Sequence, residues 1–433
     1  MKAKISYNKK TIFKLKLAII GLGYVGLPLA LEFSKKFNVL AFDKDTIRIN
    51  DLKKGIDKNK ENNPKKLRNS KKIKFTSIAR DLTDCDVYIV TVPTPITKKK
   101  LPNLKPLIQA TNMISKYLHV NNVIIYESTV YPGTINEICV PLIEKISGLK
   151  YNEEFFCGYS PERINPGDLK HKLTNIKKIT SGSNKQTSKL VNLLYRSIIK
   201  AGTFEVSSIK IAEAAKVIEN TQRDLNIALI NELSIIFNLM KLDIYEILEA
   251  ASTKWNFIKF KPGLVGGHCI GIDPYYLTYK SNKLGYQPKV ILAGRKINDS
   301  MGSYVSRNLI KEIKKNKINK NKLNILILGY TFKENCSDIR NSKVEDIVHY
   351  LNSKNNFVDV YDPNVNKEDI NLIKNCKFIF KIKKNKYDAI IIAVAHKIFY
   401  KYNLKKLKLF CKKNHVIYDL KNILKDNKYV LKL

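Results

Sequence analysis

Residues 17–33 read "LAIIGLGYVGLPLALEF" behind a basic start, "MKAKISYNKKTIFKLK". The run has the length of a signal peptide, but it also parses as a β-strand, a glycine turn and a helix. Gly21, Gly23 and Gly26 stand at fixed spacing, Pro28 interrupts the run, and no small-residue cleavage pattern follows, which favours the second parse. The spacing is G-x-G-x-x-G directly after an apolar strand. The first glycine permits the tight turn, the second lets backbone approach a pyrophosphate, and the third packs helix on strand. The helix start supplies free N–H groups to phosphate oxygens. Asp43 closes the next apolar run, "NVLAFD" (38–43), where a carboxylate could accept from both ribose hydroxyls. That carboxylate would repel a 2′-phosphate, so the pattern favours NAD over NADP, with Lys44 and Arg48 pulling the other way.

The same rhythm extends in both directions. "KLAII" (16–20), "VYIVTVP" (87–93) and "NVIIYEST" (122–129) are further short β-rich runs, separated by helical stretches up to about residue 206. Such alternation predicts a parallel sheet with helices on both faces. The stretch 53–72, rich in lysine and asparagine, reads as a solvated connection with little core. From residue 208 to about 240 apolar residues recur at helical spacing with no proline or glycine, which predicts one helix of some nine turns. A shorter helix follows over 243–252. Strand–helix alternation then restarts with "NILILGY" (324–330), "FVDVYDP" (357–363), "YDAIIIAVAH" (387–396) and "HVIYDLKN" (415–422). The architecture is therefore α/β, long helix, α/β.

Composition agrees with that division. A chain of 433 residues is too long for one ordinary core, and 44% hydrophobic with 27% charged residues fits a globular protein. Seven cysteines, an odd number with no C-x-x-C spacing, argue against a disulfide framework and a zinc site and for a reducing cytosol. The net charge of +40 raises nucleic acid or an anionic membrane as a partner. Yet the lysines are spread along the chain beside abundant Asn and Ile, as a biased genome would place them, and no nucleic-acid motif or membrane-length run accompanies them.

Three groups could carry chemistry beyond the glycine turn. Lys216 and Asn220 lie four apart on the long helix and share a face. A solvated strip and a pair of functional groups explain them equally well. The segment "GLVGGHCIGIDPYYL" (263–277) holds a lone cysteine, Cys269, behind two glycines. Asp273 there would cap a helix whose first residue is Pro274. A free cysteine is most often a small buried hydrophobe. Here glycines strip away packing, and a nearby helix start with plentiful lysine would lower the thiol pKa. His268 is adjacent in an extended segment and so points away, which disfavours a Cys–His dyad.

Seven stretches occur in one order: "GLGYVGLPLA", "VPTPI", "ESTVYPGT", "YSPERINPGD", "AEAAKVIENTQRDLNIALINE", "KPGLVGGHCIGIDPYYL" and "LGYTFKENCSDIRNSKV". In these the chain resembles the UDP-glucose/GDP-mannose dehydrogenase family, within it the branch oxidising UDP-N-acetylhexosamines for bacterial surface polysaccharides such as capsule or O-antigen. The resemblance implies two Rossmann-like, doubly wound α/β domains joined by a long central helix that also builds a homodimer. It implies an NAD-binding domain over 1–206, a central dimerisation region with the cysteine loop over 207–310, and a UDP-sugar-binding domain over 311–433. It further implies a cytoplasmic enzyme taking the C6 alcohol of a nucleotide sugar to a carboxylate with two NAD⁺, through a cysteine thiohemiacetal and thioester. On that resemblance Cys269 is the nucleophile, Lys216 and Asn220 stabilise oxyanions, Asp273 and Thr129 position a water, and Glu162 is the general base in hydrolysis. NAD would meet Val25, Asp43, Arg48, Thr94 and Thr129 besides the glycines. Glu162, Arg163, Gly263, Lys333 and Arg340 would meet the UDP or sugar, with Arg295 reaching across the dimer. The glucose-oxidising branch has a second glutamate four residues after the first, and here that position is Pro166. UDP-glucose 6-dehydrogenase is thus the nearest rival reading. A hydroxyacid dehydrogenase would not need the cysteine loop, and a basic nucleic-acid-binding protein rests on charge alone.

Overall fold

The computed structural model describes residues 11–58, 64–164, 172–268, 270–318, 320–371, 373, 376–424 and 430–433. The chain forms two compact units: one takes in the chain up to Glu219 together with Tyr275–Gly285, the other Asn220–Pro274 with Tyr286–Leu433.

The first unit is built on eight strands: β1 (Lys16–Ile20), β2 (Asn38–Phe42), β3 (Ile73–Thr76), β4 (Val87–Val90), β5 (Val123–Tyr126), β6 (Phe156–Tyr159), β7 (Lys178–Gly182) and β8 (Thr203–Glu205). Their order is β3-β2-β1-β4-β5-β6-β7-β8, which is the doubly wound dinucleotide-binding order for the first six. Leu17 and Ile19 of β1 enter one apolar cluster while Ala18 and Ile20 enter another, so the strand is buried on both faces. That is why it reads as an unbroken apolar run. One expectation fails: β6 and β7 run antiparallel, so the sheet is mixed. The β7 sequence "KITSG" is short and polar, and nothing in it announces a reversed strand. The lysine-rich connection contains a short helix, Pro64–Asn69, whose Leu67 is buried.

The second unit repeats the plan with six strands: β9 (Asn324–Leu328), β10 (Phe357–Tyr361), β11 (Lys377–Phe378), β12 (Tyr387–Ile392), β13 (Cys411–Asp419) and β14 (Leu431–Lys432). Their order, β11-β10-β9-β12-β13-β14, is again doubly wound, and every pair is parallel. Ile325 and Ile327 face one core, Leu326 and Leu328 the other.

The long helix spans Ile209–Leu239, beginning in the first unit and ending in the second. Its buried side carries charged and amide groups, Glu213, Lys216, Asn220, Asp224 and Asn231, spaced three, four or seven apart as one stripe requires. Ile211, Ile218, Leu229 and Ile236 point outward and are exposed in the single chain. Ala212, Val217, Ala228 and Ile230 are buried as well, so the covered side of the helix mixes polar with apolar groups. No described helix is long and apolar enough to cross a membrane. Residues Tyr275–Gly285 bind within the first unit: Tyr276 donates to the Pro95 carbonyl at 3.1 Å, Lys280 pairs with Glu137 at 2.6 Å, and Tyr276 and Tyr279 pack on Tyr131.

Candidate active site

In the first unit the residues assigned to NAD follow the carboxyl ends of adjacent strands. Gly21, Asp43, Thr94 and Thr129 come after β1, β2, β4 and β5, and β1/β4 is where the strand order reverses. Gly21 adopts φ +95°, and a Cβ on Gly26 would lie 1.8 Å from the Gly21 carbonyl oxygen. Only glycine lets the helix Gly26–Phe33 start this close to β1. Thr91, which sequence reasoning missed, locks the turn by donating to the Gly21 carbonyl at 2.7 Å. Gly23 is exposed with open space around its missing Cβ, so backbone can approach a pyrophosphate there. Val25 sits at the helix start with no side-chain cap, and the Leu27 amide donates to the Gly23 carbonyl at 3.4 Å.

Asp43 accepts from the Leu22 amide at 2.7 Å and the Asp45 amide at 3.0 Å, which fixes its carboxylate beside the glycine turn. A carboxylate has about four acceptor sites, so two remain for ribose hydroxyls. Arg48 donates to the Leu22 carbonyl at 3.1 Å and pairs with Asp57 at 2.8 Å. Its buried Nη1 has no partner among the described residues, a donor left over for a ligand. These residues fit NAD, which when bound accepts hydride from the substrate. Asp43→Asn is expected to narrow the ratio of kcat/KM for NAD over NADP by roughly tenfold or more, since a charged acceptor is lost and a repulsion relieved. Steady-state kinetics with both cofactors would show it, and an unchanged ratio would place selectivity elsewhere.

Glu162 follows β6 and is buried. Its Oε1 accepts from the next two backbone amides, Arg163 at 2.6 Å and Ile164. Its Oε2 faces Lys178 at 3.5 Å, and Lys178 bonds Glu127 at 2.7 Å. The Tyr195 hydroxyl also bonds Glu127. Burial pushes the Glu127 carboxyl up to about 7, with Lys178 opposing the shift. Sequence reasoning missed Glu127, Lys178 and Tyr195; a lysine on a buried strand was the only available signal. Arg163 pairs with Glu219 at 2.7 Å and donates to the Lys177 carbonyl at 2.7 Å.

Lys216 and Asn220 are each only 6% exposed, so the solvated-strip reading of the pair falls. Asn220 donates to Asp273 at 2.5 Å, which ties the long helix to the start of the helix Asp273–Lys283. Asp273 is the first helical residue there, one place later than its expected capping position. Cys269 and Pro166 lie outside the described residues.

The segment carrying the cysteine is seated on the loop after β9. The Gly267 amide donates to the Asn341 carbonyl at 3.2 Å. Gly267 has φ +85°, and a Cβ on it would lie 2.6 Å from the Phe332 ring. The paired glycines are thus needed for close approach of two backbones. Asn231 of the long helix clasps Gly263 through both its N–H, at 2.8 Å, and its carbonyl, at 3.0 Å. Asn298 and Asp224 complete that buried cluster, at 2.8 and 2.7 Å from their partners. Arg295 is buried and pairs within its own chain with Asp224, at 2.7 Å, and with Asp299. On the facing loop Arg340 forms a two-pronged pair with Asp338, at 2.9 and 2.7 Å, with its outer edge exposed, and Lys333 is half-buried. His268 approaches Asp338 at 3.6 Å, but burial, assisted by Arg340, pushes its pKa down to about 4 and keeps it neutral.

Comparison with known proteins matches the whole arrangement. Models of the UDP-glucose/GDP-mannose dehydrogenase family match three stretches: the NAD binding domain over residues 15–199, the central domain over 210–300 and the UDP binding domain over 326–426. The chain is 53% identical over 413 residues to UDP-N-acetyl-D-glucosamine 6-dehydrogenase of Salmonella typhi, covering 95% of this chain and 97% of that one. It is 54% identical to the enzyme of the same name from Pseudomonas aeruginosa, covering 97% and 99%. The UDP-D-ManNAc dehydrogenase structure from Pyrococcus horikoshii superposes with a TM-score of 0.86 at 29% identity, covering 96% and 98%. The dinucleotide-binding unit, the long helix and the second doubly wound unit coincide with these three matched stretches in order, and the chain belongs to the UDP-glucose/GDP-mannose dehydrogenase family of NAD-dependent oxidoreductases.

Proposed function

We propose that the chain oxidises the C6 alcohol of UDP-N-acetylglucosamine to the uronic acid, transferring two hydrides to two NAD⁺ in turn. The observation that carries this reading is full-length identity of 53–54% to two enzymes named for that substrate. Removal of the first hydride and a proton gives an aldehyde. The Cys269 thiolate adds to it, the thiohemiacetal loses the second hydride, and water hydrolyses the thioester to carboxylate and free thiol. Lys216 supplies a fixed cation and Asn220 an amide donor to oxygens that gain negative charge. The Asn220–Asp273 bond orients that amide, and Asp273 and Thr129 are the residues to which the hydrolytic water is assigned. Glu162 serves as the base in hydrolysis. Lys333, Arg340, Arg163 and Gly263 bind the nucleotide and sugar.

The exposed apolar residues Ile218, Leu229 and Ile236 on the long helix support a homodimer built on that face. The six described cysteines are unpaired, consistent with a reducing cytosol. A relative at 46% identity is named Protein CapL, of Staphylococcus aureus, which supports a role for the product in surface polysaccharide. Following NADH release with UDP-N-acetylglucosamine, UDP-N-acetylgalactosamine and UDP-glucose side by side tests the proposal. UDP-N-acetylglucosamine should give the highest kcat/KM, with two NADH per sugar. Preference for UDP-glucose would overturn the substrate assignment.

A further inference from the structure

The second unit has its own reversal of strand order: from β9 the chain winds through β10 and β11 to one side, then through β12, β13 and β14 to the other. In open α/β sheets ligands bind in the crevice outside the carboxyl ends of the strands at such a point, here β9 and β12. The loop after β9, residues 329–343, lies at that edge, holds no helix or strand, and carries Lys333 and Arg340. A loop of this length in a compact unit needs something to hold it.

His396 does so. It follows β12, is fully buried, and packs on Phe399 with ring centroids 5.5 Å apart. The Asn335 backbone N–H, which can only donate, reaches its Nδ1 at 2.9 Å, so Nδ1 accepts and the ring proton sits on Nε2. Nε2 bonds Asp362, after β10, at 3.0 Å, and lies 3.2 Å from the Thr331 hydroxyl. Asp362 also accepts the amides of Tyr330 and Thr331, at 2.6 and 3.0 Å. Burial alone would raise that carboxyl, but the His396 bond and these amides outweigh it and hold it below the usual range. Asn335 closes the clasp by accepting the Lys397 amide at 2.9 Å, and its own φ is +58°, a conformation the loop must be made to keep. One ring thus ties together the ends of β9, β10 and β12.

We propose that His396 is a positioning residue for the nucleotide: by gripping the Asn335 amide it fixes the loop 329–343 in the shape that presents Lys333 and Arg340 to the uridine diphosphate of the substrate. It touches the ligand only through that loop. This rests on the nucleotide-sugar reading above, so the test measures UDP itself rather than turnover.

Three variants of the full chain separate the roles of the ring. His396→Asn keeps an acceptor near the Nδ1 position, His396→Gln keeps a donor near Nε2, and His396→Phe keeps only the packing. Calorimetric affinity for UDP is expected to fall roughly tenfold or more in the Gln and Phe variants, because the Asn335 N–H loses its acceptor on the buried ring and the loop its anchor, and by much less in the Asn variant. Affinity for NAD should stay within about twofold in all three, being bound by a different unit. Hydrogen exchange of the 331–341 amides should quicken in Gln and Phe and stay slow in Asn. Should the Phe variant fail to fold, the Asn–Gln pair decides alone. Unchanged UDP affinity in the Gln variant, or equal losses in Asn and Gln, would overturn the proposal. A wild-type chain that bound no UDP would remove the nucleotide-sugar reading and this role with it; wild-type binding with indifferent variants sinks the role alone.

Discussion

Cys269→Ala enzyme is expected to give at most about one NADH per active site and then stop, where the wild type should give two NADH for every sugar consumed. The first alcohol oxidation needs no thiol, so it remains chemically open. Without the adduct the aldehyde has no tetrahedral carbon from which to lose a second hydride, and it stays bound or returns to alcohol. Cys269→Ser is the sharper version. An alkoxide leaves far less readily than a thiolate, so any ester formed hydrolyses slowly and the chain should stall as a covalent species visible by intact mass. A cysteine that only fills space gives a different pattern: modest loss of stability with the two-to-one stoichiometry intact. A Cys269→Ala enzyme that keeps turning over at two NADH per sugar would falsify the nucleophile assignment.

Lys216→Ala should lower kcat by about 10²–10³, the usual cost of removing one donor aimed at developing negative charge. Lys216 is buried on the same stripe of the long helix as Asn220, which restricts the freedom of its side chain. Lys216→Met is the companion, since it preserves volume and separates lost charge from lost packing. Both variants should keep the wild-type affinity for NAD and the wild-type melting behaviour to within a few degrees. Near-normal kcat in Lys216→Met would mean that the ammonium serves packing or folding alone.

Much of the fold can be read from residues because the central strands are buried on both faces and therefore carry runs of three or four apolar residues; β1, β9 and β12 are of this kind. The strands at and next to the sheet edges are legible to a lesser degree. β3, β7, β8, β11 and β14 have two to five residues, contain Lys, Thr, Ser or Glu, and acquire strand geometry only from the neighbour they pair with. The site divides in the same way. Gly21, Gly26 and Asp43 are recognisable because their spacing is imposed by local backbone geometry. Lys216 and Asn220 stand undecided in sequence, since helical spacing says which residues share a face and not whether that face is wet. Their burial decides it. Asn231, Asn298, Glu127, Lys178 and His396 are ordinary letters in apolar surroundings, and each takes its meaning from a partner at least 32 positions away in the chain, as with Asn231 and Gly263 or Glu127 and Lys178.

The short segment Tyr275–Gly285 has a bearing on how the chain is made. It belongs to the first compact unit although it follows more than fifty residues of the second, and it supplies Tyr276 and Tyr279 to Tyr131 and Lys280 to Glu137. During synthesis, units ordinarily fold in the order in which they leave the ribosome. Here the earlier unit cannot finish before residue 285 has emerged, so the nascent dinucleotide-binding half waits with Tyr131 uncovered while part of the later half is already outside. Release of the chain at residue 206 would leave the Tyr131 ring without Tyr276 and Tyr279, its cover in the finished unit.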